Sequence, residues 1–486
     1  MKLLRDILYK VTLQAVHGST NLAISHVSFD SRNIKKDTLF IAIEGTQSDG
    51  HQYISGAIAQ GAVAIVCKHM PQVLNESVTY VLVQDTSEAL GRISCNYFDN
   101  PSTQFKLIGI TGTNGKTTTA TLLFDVFTLL GYTCGLISTV ENRIVKAKLP
   151  STHTTPNAFE LNALLHEMAQ KRCTYVFMEV SSHAQAQKRT WGLEFTGAIF
   201  SNLTRDHLDY HVTFDAYRDA KKSFFDQLGS QAFALTNSDD ANGTFMLQNT
   251  KAKSYTYALH HPAHFNSRIL EQHVNGTLLR IDQQDVWIKL IGEFNAYNIL
   301  AIYACAILLK QDKTNVLSAI SQVKSVTGRF QYIEGSAGRI GIVDYAHTPD
   351  ALLNVLQTIQ GLKQPDQKII TVIGCGGDRD KGKRPLMAEI AFKYSDTVVF
   401  TSDNPRTEHP DQIIDDMMKG VPPGHIRDVI RNTSRAAAIQ TACALLKPGD
   451  IVLVAGKGHE AYQDIAGEKF AFSDIHELQN HLHINS

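Results

Sequence analysis

The sequence predicts an α/β protein of three consecutive domains, and three observations support this prediction. Short apolar runs typical of buried strands alternate with helical segments along the whole chain of 486 residues. A glycine-containing phosphate loop follows one such run in the central part of the chain. Strand-like runs near the C-terminus end in glycine or polar residues, and open α/β sheets bind ligands at that end of their strands. We therefore expect a P-loop-type central ATPase domain followed by a Rossmann-like C-terminal domain.

The three domains are predicted over residues 1–101, 102–330 and 331–486. In the first, the runs TLFIAIEG, AVAIVCKH and VTYVLVQD alternate with turns and with one short helix near residues 53–60. The pair Asn100-Pro101 is expected to form the first boundary, because the residue before a proline favours extended backbone. The last domain contains the strand-like runs RIGIVDYA, KIITVIGCGG, TVVFTSDNP and DIVLVAGKG.

Composition excludes several classes of function. The chain has 46 Lys and Arg residues against 47 Asp and Glu, so it lacks the basic character of a protein that binds nucleic acid or an acidic membrane surface. Its seven cysteines are scattered and form no Cys-x-x-Cys pair, which is typical of a reducing compartment. The charged N-terminus MKLLRDILYK does not resemble a signal peptide, and the apolar segment 299–309 is too short to span a bilayer. We expect a soluble, monomeric, cytoplasmic protein that does not insert into membranes.

The segment LIGITGTNGKTTTATLLF, residues 107–124, predicts an ATP-binding loop. It departs from the strict phosphate-loop pattern, since Ile110 stands where that pattern has glycine. A buried strand nevertheless leads into the loop, and a helix is predicted to begin at Lys116, where backbone amides and the helix dipole favour phosphate. Lys116 can reach the terminal phosphates and the Thr117 hydroxyl can bind Mg²⁺. The other loop residues predicted to contact ATP are Gly112, Thr113, Asn114, Gly115 and Thr118.

Short polar motifs continue through all three predicted domains. In chain order they are FDSR, EGTQSDGHQYI, TGTNGKTT, HTTP, MEVSSHAQAQKR, NLTRDHLDYH, YRDAKKSFF, GEFNAYN, GRF, DYAHTPD, GCGGDRDKGKRP, DNPRTE and AGKGHE. This set and its order resemble the Mur ligase family, the ATP-dependent amide-forming enzymes of peptidoglycan precursor synthesis. The resemblance covers nearly the whole chain and implies the three-domain Mur ligase architecture.

The resemblance implies a specific catalytic group. A carboxylate is a poor acyl donor, so the γ-phosphoryl group of ATP is transferred to it to make an acyl phosphate that an amine can attack. Cations must bring the two anions together, and the residues expected to act are Lys116, Glu179, His207 and Lys221. Thr117, Glu179 and His207 are similar to the family's Mg²⁺ ligands, while Lys221 matches the lysine that is carbamoylated to N6-carboxylysine and then binds a second Mg²⁺. Lys222 is adjacent, but its spacing from Tyr217 does not fit.

Other ATP contacts are implied by the same resemblance. Asn295 and Asn298 are three residues apart, as on one helical face, and resemble the family's contacts on the adenine side. Arg329 and Asp344 resemble contacts that the linker and the last domain make when the enzyme closes on ATP.

The closest similarity is to family members whose substrate is UDP-N-acetylmuramoyl-L-alanyl-D-glutamate. In the first domain the residues expected to contact this nucleotide are Phe29, Ser31, Thr46, Gln47 and Ser48. In the central domain they are His153, Thr154, Thr155, Ser181, Gln187 and Arg189. Two positions depart from some relatives, since Thr46 replaces a histidine and His153 replaces an asparagine.

The motif DNPR resembles the signature of members that add meso-2,6-diaminopimelate. This amino acid differs from lysine by a carboxylate at its far end, and the planar guanidinium of Arg406 can bind that carboxylate in two places. Asp403 and Asn404 are expected to meet the distal ammonium. Pro405 lies in the same motif, and Arg379, Gly456 and Glu460 match further positions of the pocket.

Four alternatives remain open at this point. A ligase that adds L-lysine is disfavoured by Arg406, because lysine would leave a buried guanidinium without a partner. A folylpolyglutamate synthetase shares the ATP loop but is not expected to carry DNPR or the motifs of the first domain. A P-loop GTPase or regulatory ATP-binding module predicts an Asn-Lys-x-Asp motif, which the sequence lacks. A catalytically silent interaction protein is disfavoured because the motifs of all three domains are intact.

Overall fold

The first of three large β-sheets belongs to the N-terminal part of the chain in the computed structural model, which describes residues 1–45 and 48–482. Its strands lie in the order β2-β7-β6-β5-β4, and all neighbours run parallel except β2 against β7. The elements are β1 (Lys2–Leu3), α1 (Leu4–Ile7), β2 (Leu13–His17), β3 (Ala23–Ile24), β4 (His26–Ser28), β5 (Thr38–Ile41), α2 (Ile54–Ala59), β6 (Ala62–Cys67), β7 (Thr79–Val83) and α3 (Thr86–Tyr97).

The central sheet has eleven strands in the order β11-β10-β9-β12-β8-β13-β14-β15-β16-β17-β18. Its strands are β8 (Lys106–Thr111), β9 (Cys134–Ile137), β10 (Glu141–Ile144), β11 (Ala147–Pro150), β12 (Tyr175–Glu179), β13 (Gly197–Phe200), β14 (Phe233–Asn237), β15 (Lys253–Ala258), β16 (Phe265–His273), β17 (Gly276–Ile281) and β18 (Gln284–Ile288). Its helices are α4 (Lys116–Leu129), α5 (Ala158–Gln170), α6 (Ser182–Ala186), α7 (Leu208–His211), α8 (Phe214–Asp226), α9 (Gly243–Leu247), α10 (Glu293–Leu308) and α11 (Lys313–Gln322).

Helices cover both faces of the parallel strands at the centre of this sheet. On one face α4 and α10 bury their apolar residues against β8, β12 and β14, and on the other face α5 and α8 do so. Strands covered on both sides read as continuous apolar runs, which is why β8, β12 and β14 could be predicted from sequence. The carboxyl ends of these strands therefore meet along one edge of the sheet, which carries the phosphate loop.

The third sheet has the order β19-β20-β24-β21-β22-β23, with only β19 antiparallel. Its strands, and a separate hairpin of β25 and β26, are β19 (Gln331–Glu334), β20 (Ile340–Asp344), β21 (Ile369–Ile373), β22 (Thr397–Phe400), β23 (Val429–Arg431), β24 (Ile451–Ala455), β25 (Tyr462–Ile465) and β26 (Glu468–Ala471). Its helices are α12 (Pro349–Leu362), α13 (Lys383–Tyr394), α14 (Pro410–Met418), α15 (Arg435–Leu445) and α16 (Asp474–Leu482). The predicted α/β class is confirmed, and the parallel strands β20, β24, β21 and β22 carry the Rossmann-like arrangement.

Two local features were not predicted from the sequence. The strands at the centre of the eleven-stranded sheet are parallel, but β16, β17 and β18 form an antiparallel meander and β10 and β11 form a hairpin. Asn100 was expected to be extended before Pro101, but it is left-handed with φ 49° and ψ 59°. Asparagine tolerates this conformation better than most residues, and the turn lets the Asn100 amide donate to the Cys95 carbonyl at 2.7 Å, which ends α3.

Within residues 1–45 and 48–482, no helix is both long enough and apolar enough to cross a membrane.

Candidate active site

One cavity of about 1160 Å³ lies between the central and C-terminal domains and brings together most of the predicted site residues. From the central domain and the linker its lining includes Thr113 to Thr118 of the phosphate loop, Glu179, His207, Lys221, Asn295, Asn298 and Arg329. From the C-terminal domain it includes Asp344, Arg379, Arg406 and Glu460. His153, Thr154, Thr155, Ser181 and Arg189 line the same cavity.

The phosphate loop leaves β8 and enters α4 through two glycines with positive φ. Gly112 has φ 148°, and a Cβ at this position would lie 2.0 Å from Ser201 Oγ. Gly115 has φ 86°, and a Cβ there would lie 2.6 Å from Asn298 Oδ1. Both positions therefore require glycine for conformation and for space. Ile110, the departure from the strict pattern, lies inside β8 and is fully buried, so the loop begins after it.

The ammonium groups of Lys116 and Lys221 meet at the start of this loop. Lys116 Nζ donates to the carbonyl oxygens of Gly112 and Thr113 at 2.9 and 2.8 Å, while Lys221 Nζ donates to that of Gly112 at 2.7 Å. Burial, together with the Lys116 ammonium, holds the pKa of Lys221 well below its ordinary value. Burial also lowers the pKa of Lys116, although the Glu179 carboxylate opposes this.

The neighbouring lysine lies on a different side of α8. Lys222 Nζ forms an ion pair with Asp226 and donates to the carbonyl oxygen of Gln248. Successive helical residues are separated by about 100° around the axis, so only one of the two lysines can face the phosphate loop. Lys221 is the one that does.

Glu179 ends β12 and is fully buried beside the loop. Its Oε1 accepts a hydrogen bond from the Thr139 amide at 2.7 Å, and its Oε2 accepts one from Thr139 Oγ1 at 3.2 Å. Both carboxylate oxygens are thereby oriented and keep acceptor capacity for a further ligand.

His207 precedes α7 in a left-handed conformation with φ 55° and lines the same cavity. Burial lowers its pKa below the ordinary value of 6.5, although the Asp206 carboxylate, whose Oδ2 lies 3.3 Å from His207 Nε2, opposes this. The imidazole is therefore neutral near pH 7, which is the form that binds metals. Its ring also lies edge-on to His183, with ring centroids 4.8 Å apart.

The donors expected to hold Mg²⁺ are of a suitable kind but are few. Thr117 offers a hydroxyl, Glu179 a carboxylate and His207 a neutral imidazole, and all three line the same cavity. Among the described residues, no group of three or more His, Cys, Asp or Glu side chains is arranged to hold a metal ion. These residues fit a hard cation that takes its other oxygens from ATP phosphates, water and a carbamate, since Mg²⁺ usually keeps few protein ligands.

The predicted adenine-side residues pack against each other at the start of α10. Asn298 Nδ2 donates to Asn295 Oδ1 at 3.1 Å, and Asn298 Oδ1 accepts from Thr119 Oγ1 at 3.3 Å. This contact joins α10 to α4, so the two asparagines and the phosphate loop form one unit.

Arg329 and Asp344 connect the last domain to this unit. Arg329 Nη2 donates to Thr117 Oγ1 at 3.1 Å, and its guanidinium carbon lies 4.3 Å from the centre of the Tyr345 ring. Asp344 is buried at the end of β20, where its Oδ2 accepts from the Phe330 amide at 2.6 Å. Burial raises the pKa of Asp344 although Arg329 opposes this.

Only some of the residues expected to bind the uridine nucleotide line the large cavity. In the central domain, Arg189 donates to Gln187 Oε1 at 3.0 and 2.7 Å and to the Thr155 carbonyl at 2.5 Å, which joins three of them. Ser181 caps α6 by accepting from the Ala184 amide at 3.1 Å. Gln187 and the described first-domain residues Phe29, Ser31 and Ser48 do not line the large cavity. Thr46 and Gln47 lie outside the described residues.

Arg406 projects from the loop after β22 toward the cavity. Its backbone is left-handed with φ 51°, and its Nη1 donates to the carbonyl oxygen of Gly377 at 2.6 Å. Gly377 in turn donates its amide to the Asn404 carbonyl at 2.9 Å, so the loops carrying GGDRD and DNPR pack directly together. Pro405 closes this contact, because a Cβ on Gly377 would lie 1.9 Å from the Pro405 carbonyl oxygen.

Glu408 also joins the loops that carry GGDRD and DNPR. Its carboxylate accepts from Arg384 Nη1 and Nη2 at 3.0 and 2.8 Å and from the Asp378 amide at 2.6 Å. The hydrogen bonds from Arg384 lower the pKa of Glu408 to about 2. Arg379, on the GGDRD loop, is about half exposed and lies 4.0 Å from Asp209 of the central domain.

The surroundings of Asn404 differ from the expectation that it meets a substrate ammonium. Its Oδ1 accepts from Lys457 Nζ at 2.8 Å and from the Asp464 amide at 3.0 Å. An amide oxygen has two lone pairs, so Asn404 keeps no free acceptor for an ammonium. Of the two predicted carboxylates Asp403 and Glu460, only Glu460 lines the cavity. Lys457, fully buried, was missed by sequence reasoning, because a lysine in a glycine-rich segment predicts a solvated side chain.

Comparisons with known proteins agree with this geometry. Three family profiles match, described as "Mur ligase family, catalytic domain" over residues 23–98, "Mur ligase middle domain" over 110–306 and "Mur ligase, glutamate ligase domain" over 328–458. A protein of Cytophaga hutchinsonii named UDP-N-acetylmuramoyl-L-alanyl-D-glutamate--2,6-diaminopimelate ligase is 52% identical over 473 residues, which is 97% of each chain. A Bacteroides thetaiotaomicron protein of the same name is 50% identical and covers 97% of this chain and 98% of its own.

A solved structure carries the same description. It is described as UDP-N-acetylmuramoyl-L-alanyl-D-glutamate--2,6-diaminopimelate ligase, with a TM-score of 0.69, 31% identity, and coverage of 99% of this chain and 98% of its own. The similarity extends across all three sheets, including the N-terminal one. The chain belongs to the Mur ligase family.

Proposed function

We propose that this protein joins meso-2,6-diaminopimelate to UDP-N-acetylmuramoyl-L-alanyl-D-glutamate in peptidoglycan precursor synthesis, with conversion of ATP to ADP and phosphate. The main support is that one cavity is lined both by the phosphate loop with Lys116 and by Arg406 of the DNPR motif. Relatives about half identical over nearly their whole length bear the name of this ligase. A cytoplasmic location, where ATP is available, is part of the proposal.

The first step is phosphoryl transfer to the glutamate carboxylate. An oxygen of the carboxylate attacks the γ-phosphorus of ATP, the bond from that phosphorus to the bridging oxygen breaks, and ADP leaves. Lys116 and the loop amides hold the phosphates at the N-terminus of α4, and Arg329 adds a positive charge beside Thr117. Mg²⁺, bound by Thr117, Glu179 and His207, would supply further positive charge at the phosphates.

The second step is amide formation. The amine attacks the acyl carbon, a proton leaves the nitrogen, and inorganic phosphate departs with one oxygen of the former carboxylate. Glu460 and Arg406 line the cavity, where Glu460 would accept from an ammonium group of the amino acid and Arg406 would bind its distal carboxylate. Asp403 would add negative charge near that ammonium. The contact of Arg329 with Thr117 and that of Asp344 with the Phe330 amide favour a closed site, which would protect the acyl phosphate from water.

We also propose that the Lys221 side chain is carbamoylated. An amine reacts with CO₂ only when neutral, giving a carbamate and a proton, and the pKa of Lys221 is well below its ordinary value. The carbamate would replace an ammonium by an anion beside the phosphate loop. Oxygens of that anion could hold a second Mg²⁺, which the unmodified lysine cannot.

The alternatives are weaker. In a lysine-adding ligase, Arg406 would face the alkyl ammonium of the substrate and would lack a carboxylate partner. This would weaken the binding of lysine by about 1–3 kcal/mol or more. A folylpolyglutamate synthetase does not account for identity that extends over 97% of both chains, including the N-terminal sheet.

The test is phosphate release by the native protein with ATP, Mg²⁺, the nucleotide dipeptide and diaminopimelate, with the glutamate carboxylate labelled with ¹⁸O. The proposal expects release that requires all four components, phosphate carrying one ¹⁸O, and a product heavier by one diaminopimelate residue. Phosphate without ¹⁸O would exclude the acyl phosphate. Absence of turnover with every amino acid would contradict the ligase function itself.

A further inference from the structure

Lys457 is a fully buried cation beside Glu460, which lines the large cavity, although Lys457 itself does not line it. It follows β24, and its Nζ donates to Asn404 Oδ1 and to Glu460 Oε2, both at 2.8 Å. Asp403 Oδ1 lies 3.8 Å away. One ammonium therefore contacts side chains from two loops, those after β22 and after β24.

Glu460 is the member of this group that reaches the cavity. Its Oε2 accepts from Lys457 Nζ and from Asn404 Nδ2, both at 2.8 Å, so this oxygen faces away from the substrate side. Its Oε1 has one long contact, 3.4 Å from Tyr345 OH. The carboxylate is held in one orientation with Oε1 left for a further donor, while Asn404 is 4% exposed and does not line the cavity.

Charge gives a second reason for a cation at this position. Asp403 and Glu460 are two carboxylates in a largely buried region, with side chains 10% and 16% exposed. Buried carboxylates without a cation or hydrogen-bond donors are strongly disfavoured. Lys457 supplies both, and the removal of its charge would leave the pair to repel each other.

We propose that Lys457 is a positioning residue for the amino-acid substrate, which orients the Glu460 carboxylate, together with Asn404, toward an ammonium of the incoming diamino acid. This inference rests on the proposed ligase function. Lys457 does not touch the substrate. It acts through Glu460, so its loss weakens recognition of the amino acid rather than of ATP or the nucleotide.

The test compares Lys457→Met with Lys469→Met. Lys469 is an exposed lysine of β26 whose Nζ lies 4.3 Å from the centre of the Tyr462 ring, and Lys457 Nζ lies 5.5 Å from that same centre. Both variants thus lose a cation beside one tyrosine, but only Lys457 contacts the carboxylates. We expect Lys457→Met to raise the KM for diaminopimelate about tenfold or more, with the KM values for ATP and nucleotide unchanged. Lys469→Met should leave all three unchanged.

A double-mutant cycle with Glu460→Gln separates positioning from a general loss of structure. If Lys457 acts through Glu460, adding Lys457→Met to Glu460→Gln should raise the KM for diaminopimelate by less than threefold, much less than in the native background. Equal effects in both backgrounds, or a KM for diaminopimelate unchanged in Lys457→Met, would overturn the inference.

If Lys457→Met is insoluble, Lys457→Arg replaces it in the test. Arginine keeps the positive charge but cannot place one nitrogen between Asn404 Oδ1 and Glu460 Oε2. An unchanged KM for diaminopimelate in Lys457→Arg would overturn the inference. If native protein shows no turnover with diaminopimelate, the proposed function fails, whereas active native protein with an unaffected Lys457 variant contradicts this inference alone.

Discussion

Lys116 and Lys221 donate to the same backbone oxygen, the carbonyl of Gly112, at 2.9 and 2.7 Å. Two ammonium groups converging on one carbonyl repel each other, and this contributes to the low pKa of Lys221. Conversion of Lys221 to a carbamate would turn this repulsion into attraction and would free Lys116 for phosphate. The arrangement therefore links the predicted modification to ATP binding.

Lys221→Arg should abolish this chemistry, because a guanidinium stays charged and does not form a carbamate. We expect phosphate release to fall about a hundredfold or more. Lys222→Arg is the matched control, since its side chain pairs with Asp226 away from the loop, and it should stay near native. Native protein freed of CO₂ should lose activity and regain it with bicarbonate, whereas Lys221→Arg should not respond. Full activity of Lys221→Arg would contradict the carbamate.

His459 should make the protein less stable in acid. Burial, with Arg329 nearby, lowers its pKa to about 3, below the ordinary value of 6.5. Below pH 6.5 this histidine binds a proton in the unfolded chain but stays neutral in the folded protein. Its contribution to the free energy of unfolding is therefore fully present above pH 6.5 and decreases as the pH falls toward the folded-state pKa. The slope from this one group is at most about 1.4 kcal/mol per pH unit.

Thermal unfolding between pH 7 and pH 5 tests this. The midpoint temperature of His459→Gln should fall less on acidification than that of the native protein. His17→Gln, at an exposed position at the end of β2, should behave like native. Identical pH dependence in His459→Gln and native protein would contradict the assignment.

Val212 stores backbone strain at the entry to α8. It has φ 66° and ψ −47°, and the Thr213 amide donates to the His211 carbonyl across it at 2.7 Å, which is a tight three-residue turn. A β-branched residue is strained there, and the side chain is 79% exposed, so it contributes little packing. Val212→Gly should raise the free energy of unfolding by up to about 1 kcal/mol, measured by denaturant unfolding. Val73→Gly, at a more exposed site without positive φ, should not stabilise.

Apolar patterning was sufficient to predict the strands that position the catalytic residues. β8, β12 and β14 are covered on both faces, and Glu179 was placed at the end of β12 because a charged residue closes an apolar run. The meander of β16 to β18 was missed, since its burial alternates and its strands lack a continuous apolar run. The pair Asn275-Gly276, whose glycine begins β17, was the available signal for the turn between β16 and β17.

The finer parts of the site depend on tertiary contacts that sequence does not encode locally. Lys221 and Lys222 are adjacent, and only the rotation of α8 separates the phosphate loop from Asp226. Lys457 is 53 positions from Asn404 in sequence, so their hydrogen bond follows from the parallel pairing of β24, β21 and β22. The same two loops bring Asn404 Nδ2 to 2.8 Å from Glu460 Oε2, a contact that the sequence did not predict.

The proposed function assigns the selection of diaminopimelate over lysine to Arg406, whose Nη1 contacts the Gly377 carbonyl while the side chain lines the cavity. The most direct measurement is phosphate release with each amino acid by native protein, by Arg406→Ala and by Arg427→Ala, an exposed arginine of the same domain. We expect native protein and Arg427→Ala to use diaminopimelate alone, and Arg406→Ala to lose kcat/KM for it by about a hundredfold or more. Equal or better use of lysine by native protein, or undiminished use of diaminopimelate by Arg406→Ala, would contradict the account.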